Sequence, residues 1–307
     1  MSLTEDQLVS WLEGRRRLDP RRFPIGIGDD MAQIRLDGGS VLVTTDMLLE
    51  GVHFDLARAT LEQVGYKAMA ASLSDCAAMA TRPLGAVVAL GLPSGFAGRQ
   101  VKRIHAGLLR AADRYNCPVV GGDTTRWKSK GLLAINVAML STPAAGRPVT
   151  RSGAREGDAL CVTGTLGGSL ARRHLEFEPR VHEALRMART VDLHAMMDLS
   201  DGLASDLPRI CQQSGVGAII QTAALPISRQ ARRSADPVRS ALCDGEDFEL
   251  LFTLSEADLQ RLTSAWDGPV AITRIGTITD TGRVQIQDAA GRIRNLKEHG
   301  YDHFAND

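Results

Sequence analysis

The stretch GIGDDMAQIRLDGGSVLVTTDMLLEGVHF, residues 26–54, gathers Asp29, Asp30, Asp46 and His53, with glycine turns, around one short apolar run. In VLVTTD, 41–46, three aliphatic residues give way to two hydroxyls and a carboxylate, which predicts a strand leaving a core at Asp46. Open α/β folds hold ligands just outside strand ends, so Thr44, Thr45 and Asp46 offer oxygens there to a hard cation. Gly28 lets the chain turn beside Asp29 and Asp30. Turn hydrogen bonds and capping explain these aspartates as readily as metal binding does. The rest of the chain decides between the two readings.

At 307 residues the chain can hold two domains with their own cores. Its 36 basic and 36 acidic residues cancel, so bulk electrostatics point neither to nucleic acid nor to a membrane. Arg15, Arg16, Arg17, Arg21 and Arg22 form a local basic cluster, read as a solvated face. The five cysteines are an odd number without a CxxC pair, which suggests neither a zinc site nor a disulfide framework and fits a reducing cytoplasm. No leader pattern and no uninterrupted apolar window of about 18 residues is found, so neither export nor membrane spanning is expected.

From the N-terminus, Thr4 and Gln7 suggest a capped helix with Leu8, Trp11 and Leu12 on one face. Thr60 and Gln63 repeat that signature and lead into GYKAMAASLSDCAAMA, 65–80, apolar nearly all round and therefore expected to be buried. Asp75 inside it requires a metal or a basic partner, unless it shares an exposed polar stripe with Ser72 and Ser74. Strands are predicted at 84–93, 117–125 and 131–140, with a helix over 98–115; Asp123, after two glycines, repeats the logic of Asp46. STPAAGRP, 141–148, reads as a boundary between domains at 1–141 and 149–307.

In the second half, a strand at Ala159–Thr163 runs into Gly164, Gly167 and Gly168 and then a helix, whose first amides suit an anion; a plain glycine turn fits equally. Pro179 is expected at the first position of the next helix. In MMDLSDGLASDL, 196–207, Asp198 ends a strand, Ser200 caps a helix and Asp201 sits in its first turn. Strands follow at 216–222 and 248–254, with a helix over 255–266, and ALCDGEDFEL crowds Asp244, Glu246, Asp247 and Glu249 around Gly245. Tyr301, His303 and Phe304 are unusual in a fraying tail and imply docking.

Brought together, Asp30, Asp46, Asp75, Asp123, Asp198 and Asp201 would repel one another unless divalent cations neutralised them. All-oxygen ligation favours Mg²⁺ or Mn²⁺ over zinc, and Mg²⁺ shared with phosphates implies phosphoryl transfer or another ATP-using step. Walker and protein-kinase signatures are missing.

The run GIGDD, TTDMLLEGVHF, LSDCAAM, GGDTTR, GRPVTRSGA, VTGTLGGS, DLSDGL, DGEDFEL and GYDHFA spans nearly the whole chain in one order. It resembles the bacterial thiamine-monophosphate kinases, within the group related to aminoimidazole ribonucleotide synthetase. The resemblance implies ATP-dependent conversion of thiamine monophosphate to thiamine diphosphate, by direct in-line transfer without a general base. It implies Mg²⁺ ions on Asp30, Thr44, Thr45, Asp46, Asp75, Asp123, Asp198 and Asp201. Gly122, Arg151 and Ser200 would contact ATP, with Arg151 also acting electrostatically; His53, Glu246 and Tyr301 would contact the substrate. It further implies two α/β domains in a cytoplasmic homodimer whose N-terminal sheets pair into a barrel. Where the family usually reads GGEDYE, this chain has Asp244 and Phe248, and GSLARRHL follows Gly167 where a glycine-rich or Asp-containing continuation is commoner. The rivals are another ATP-dependent synthetase of the group and a non-catalytic nucleotide or metal sensor.

Overall fold

A computed structural model describes residues 5–15, 18–144 and 146–302. The expectations resting on Thr4, the side chains of Arg15 to Arg17, His303 and Phe304 fall outside the described residues.

The first unit comprises α1 (Glu5–Arg15), β1 (Ala32–Leu36), β2 (Gly39–Leu49), α2 (Leu61–Ala78), β3 (Thr81–Leu92), α3 (Gly98–Arg114), β4 (Val119–Arg126) and β5 (Ala134–Pro143). Its sheet has the order β1-β2-β5-β3-β4, antiparallel except for the β3–β4 pair. The second unit runs β6 (Ala159–Thr163), α4 (Val181–Thr190), β7 (Ala195–Asp198), α5 (Leu203–Ser214), β8 (Gly217–Gln221), α6 (Pro237–Cys243), β9 (Leu250–Leu254), α7 (Glu256–Ala265), β10 (Ile272–Thr279), β11 (Val284–Gln287) and β12 (Ile293–Asn295). These strands form one sheet in the order β12-β11-β8-β10-β6-β9-β7. The molecule is thus a mixed α/β protein built on two sheets.

α2 explains how the units join. Thr60 caps it and Gln63 completes the capping box, as the spacing predicts. It packs on α3 and β5 on one side and on α4 and β7 on the other, which is why its sequence is apolar all round. A Cβ on Gly65 would lie 2.0 Å from the Ile104 carbonyl oxygen, and one on Gly107 1.9 Å from that of Glu62. The two helices therefore cross with their backbones touching, a separation only glycine permits. One continuous core carries Met69 and Leu73 of α2 together with Phe177, Met187 and Phe252 of the second unit.

Several local expectations are corrected. β2 does not end at Asp46; it continues to Leu49 because Asp46 to Leu49 pair with Val137 to Ala134 of β5. The hydroxyls and carboxylate fall within the strand, Thr44 and Asp46 on one face and Thr45 on the other, rather than at its end. β4 likewise runs through Asp123 to Arg126, and β5 extends to Pro143, inside the expected linker. After Gly168 there is no α-helix, only short 3₁₀ turns at Ser169–Ala171 and Arg173–Leu175. The Gly167 and Gly168 amides donate to the Asp247 and Asp244 carboxylates at 2.7 and 2.8 Å, so the protein's own anions occupy the expected anion site. Pro179 precedes the cap of α4, which is Arg180. Gly202, not Ser200, caps α5, and the Asp206 carboxylate accepts the Asp201 and Gly202 amides at 3.2 and 3.0 Å.

Candidate active site

Alternation along β2 decides which of its polar side chains meet α2. Thr44 donates through its hydroxyl to the Asp75 carboxylate, and Asp46 accepts from Ser72 on the same helix. Thr45 points to the other face, where its hydroxyl accepts from Asn136 at 2.8 Å. Its side chain therefore lies on the face away from the carboxylates that meet α2. Asp30, from the Gly28 turn, and Asp198, from the end of β7, complete the cluster. Carboxylate oxygens of Asp30, Asp75 and Asp198 lie within 4.8 Å of one another. Asp75 is not on an exposed stripe: Ser72 and Ser74 are buried, and Ser74 donates to Asp198 at 2.6 Å.

Electrostatics show what such a cluster requires. Burial, then Asp46, Asp198 and Asp30, holds the Asp75 carboxyl well above the ordinary range. Burial and then Asp30 push Asp198 up to about 7, and burial also raises Asp46. Asp29, pushed up to about 7 by burial and Asp30, still behaves as the turn residue expected, accepting the Asp30 and Arg151 amides at 3.1 and 3.3 Å. This all-oxygen, mutually repelling set suits a hard divalent cation.

Two arginines flank the acids. Arg151 grips Asp30 with Nε and Nη2 at 3.2 and 2.7 Å and reaches the Gly28 carbonyl with Nη1 at 3.1 Å. Arg209 bonds Asp201 at 2.7 Å, Asp206 at 2.8 Å and Asp6 of α1 at 3.2 Å. Asp201 is therefore held by an arginine beside the cluster rather than inside it. Asp123 is not brought in either: it is exposed on β4, the edge strand, with β5 and β3 between it and β2. Three strand spacings amount to roughly 14 Å. Gly122 shares that exposed edge.

Beside Asp46 and Arg151 lies a cleft of about 660 Å³, lined also by Gly28, His53, Lys67, Ser200, Asp201, Arg209, Glu246 and Tyr301. His53 Nδ1 accepts the Leu49 amide at 3.0 Å. The tail docks here: Tyr301 N donates to the Asp201 carbonyl at 2.9 Å, and a Cβ on Gly300 would sit 2.0 Å from that oxygen. Of the acids at 244–249, three are consumed structurally. Asp244 holds Gly168, Asp247 holds Gly167, Ser169 and Arg173, and Glu249 takes Thr163 at 2.8 Å and Arg180 through two bonds of 2.7 Å. Glu246 lines the cleft and sits 2.5 Å from Lys67 Nζ.

Both sequence departures in this turn are accommodated. Asp244 caps α6 at φ −64° and needs no glycine there, and Phe248 stacks on Phe177 with ring centroids 3.9 Å apart. Sequence reasoning missed Lys67 and Arg209. Lys67 carried a signal, a lysine in an otherwise apolar helix; Arg209, three residues from Asp206, reads as an ordinary surface pair.

Comparison with known proteins accords with this geometry. Residues 28–142 match the AIR synthase related protein N-terminal domain and residues 155–289 its C-terminal domain. The thiamine-monophosphate kinase of Rhodopirellula baltica is 37% identical, with 99% of this chain and 98% of that protein aligned. That of Escherichia coli K12 is 36% identical over 99% of each. A solved structure of AaThiL complexed with AMPPCP and TMP is similar at 30% identity with a TM-score of 0.84, covering 98% of this chain and 97% of that one. By domain content, sequence identity and fold together, this chain belongs to the thiamine-monophosphate kinase family of AIR synthase related proteins.

Proposed function

We propose that this chain transfers the γ-phosphoryl group of ATP to the phosphate of thiamine monophosphate, giving thiamine diphosphate and ADP. The observation that carries this reading is the convergence of Asp30, Asp75 and Asp198 behind Asp46 and Arg151, which line a cleft that also presents His53 and Glu246. The chemistry needs little else. A phosphomonoester with a second pKa near 6 is already largely ionised at neutral pH, so its oxygen attacks without a general base. The difficulty is the approach of two polyanions, and Mg²⁺ held by Asp30, Asp46, Asp75 and Asp198, with Thr44, would supply the neutralising charge. Arg151 adds a guanidinium beside the same oxygens, and Ser200 and Asp201 line the adjoining wall. His53, whose Nδ1 is engaged by the Leu49 amide, is oriented to donate rather than to take a proton, so it positions substrate with Glu246 and Tyr301.

Incubation of the purified chain with ATP, Mg²⁺ and thiamine monophosphate should yield thiamine diphosphate and ADP in equal amounts, with no labelled protein after acid quench of γ-labelled ATP. Bound ATP without diphosphate would favour the sensor, and ATP consumption only with another acceptor the synthetase.

A homodimer completes the reading. The face of the first sheet away from α2 exposes Leu36, Met47, Leu49, Leu84, Val87, Val120 and Leu140, an apolar surface too extensive for a monomer. Pairing of two such faces would form the barrel and enclose β4, and the assignment of Gly122 to ATP and Asp123 to metal depends on that pairing. Sedimentation should return twice the chain mass of 33.0 kDa; a monomer at micromolar concentration would remove the dimer. Among the described residues no helix is long and apolar enough to cross a membrane, and the free cysteines suit a cytoplasmic setting.

A further inference from the structure

Lys67 is only 1% exposed, in the middle of α2. A buried ammonium is tolerated only with partners, so its partners report what the fold keeps it for. Nζ donates to the His53 carbonyl at 2.6 Å and to Glu246 Oε1 at 2.5 Å. Those acceptors come from opposite walls, one from the loop after β2 and the other from the turn after α6. His53 and Glu246 also line both the active-site cleft and an adjoining cavity of about 710 Å³, so Lys67 lies beneath a shared partition.

The partition is held under tension. Glu246 has φ +52°, unusual for a residue with a side chain, and its amide donates to the Ser200 carbonyl at 2.6 Å. Its carboxylate faces a cleft that also carries Asp46, Asp201 and Asp244, and the Lys67 ammonium is the positive partner it bonds there. Burial pushes Lys67 down and the Glu246 carboxylate opposes that shift. Lys67 reaches the cleft lining but is almost wholly buried, with its bonds directed to the protein, which makes it a support for substrate contacts rather than a phosphate ligand.

We infer that Lys67 is a positioning residue that determines specificity, holding the His53 loop and the Glu246 carboxylate where they recognise the organic half of the substrate. This rests on the thiamine phosphate reading. That molecule offers a thiazolium cation and an aminopyrimidine donor, and Glu246 Oε2, without a protein partner among the described residues, suits either. The phosphate end is left to the aspartates and Arg151. Lys67 therefore acts on substrate binding and not on the transfer itself.

Lys67→Met keeps the buried volume and removes the charge. It should raise KM for thiamine monophosphate at least tenfold with kcat within about threefold, and weaken thiamine monophosphate binding equally, in calorimetry with Mg²⁺ and a non-hydrolysable ATP analogue. Affinity for that analogue should not change. Glu246→Gln should show the same split, and the double variant should be no worse than the worse single. The preference for thiamine monophosphate over a thiazole phosphate lacking the pyrimidine should shrink in both. A loss of kcat and melting temperature at unchanged KM would make Lys67 merely structural and overturn the inference, as would multiplicative effects in the double variant. If Lys67→Met does not fold, Glu246→Gln alone decides: unchanged discrimination between the two phosphates overturns it. Failure of the unaltered chain to bind thiamine monophosphate overturns the functional reading as well; binding that Lys67→Met leaves intact overturns only this inference.

Discussion

Asp75→Asn is expected to lower turnover by roughly 10²–10³-fold, the cost of losing one preorganised charge-stabilising group, while raising the melting temperature of the metal-free chain. The two effects have one cause. Asp75 is buried among Asp46, Asp198 and Asp30, whose charges it repels. Without a cation, removing one negative charge relieves the cluster; with Mg²⁺, it removes a ligand. The pH dependence follows from the same shifts. Asp198 titrates near 7 in the folded chain against an ordinary value of 3.8, so the folded state holds its proton more tightly than the unfolded state. That contribution to stability is fully present below about pH 4 and is lost as pH rises through about 7. Metal-free protein should therefore melt at lower temperature at pH 8 than at pH 6, and Mg²⁺ should restore stability most at pH 8. Stabilisation amounts to about 2.7 kcal/mol when the free ion is 100-fold above its dissociation constant. In Asp75→Asn the pH slope should flatten and the magnesium response shrink. An unaltered slope with normal magnesium dependence of turnover would remove Asp75 from the metal site.

Arg151→Met should move metal-free stability the opposite way. Its guanidinium is bidentate on Asp30, and the Asp30 side chain is only 2% exposed. Deleting one partner of a buried pair leaves an uncompensated charge and costs about 3–5 kcal/mol. Here that charge joins carboxylates that already repel it, so metal-free Arg151→Met should melt well below the parent chain. Mg²⁺ can take over the neutralisation and should recover most of the loss. Turnover should stay reduced by about 10²–10³-fold even then, because a cation on the carboxylates does not restore the guanidinium charge beside them. Differential scanning with and without EDTA, alongside the coupled ADP assay, separates these effects. If Mg²⁺ returned no stability, Asp30 would not be a metal ligand. If turnover stayed within threefold, Arg151 would belong to the fold and not to the reaction.

Much of the architecture was legible because it is written in short-range patterns. The Thr60 and Gln63 capping box, the all-round apolar α2, the strand at Ala159–Thr163 and the Ser255 cap of α7 each depend on residues a few positions apart. The ends of β2 and β4 were misread for a related reason. A hydroxyl followed by a carboxylate looks like a strand leaving its core, but the pairing of β2 with β5 carries Asp46 on into regular structure. Whether Thr45 joins Asp46 is then decided by the two-residue repeat of the strand, which sends its side chain to Asn136.

By itself the sequence determined the acids, their motifs and the family they belong to, since these are matters of residue identity and spacing. Only the tertiary structure decided which charges meet. Arg151 and Asp30 are 121 positions apart, and Lys67 and Glu246 are 179 apart. Nothing local singles out Glu246 among the acids at 244–249, and nothing local places Asp123 on an exposed edge. A buried charge is tolerated or not according to the partner that the fold brings to it, and that partner lies beyond the reach of any repeat along the chain.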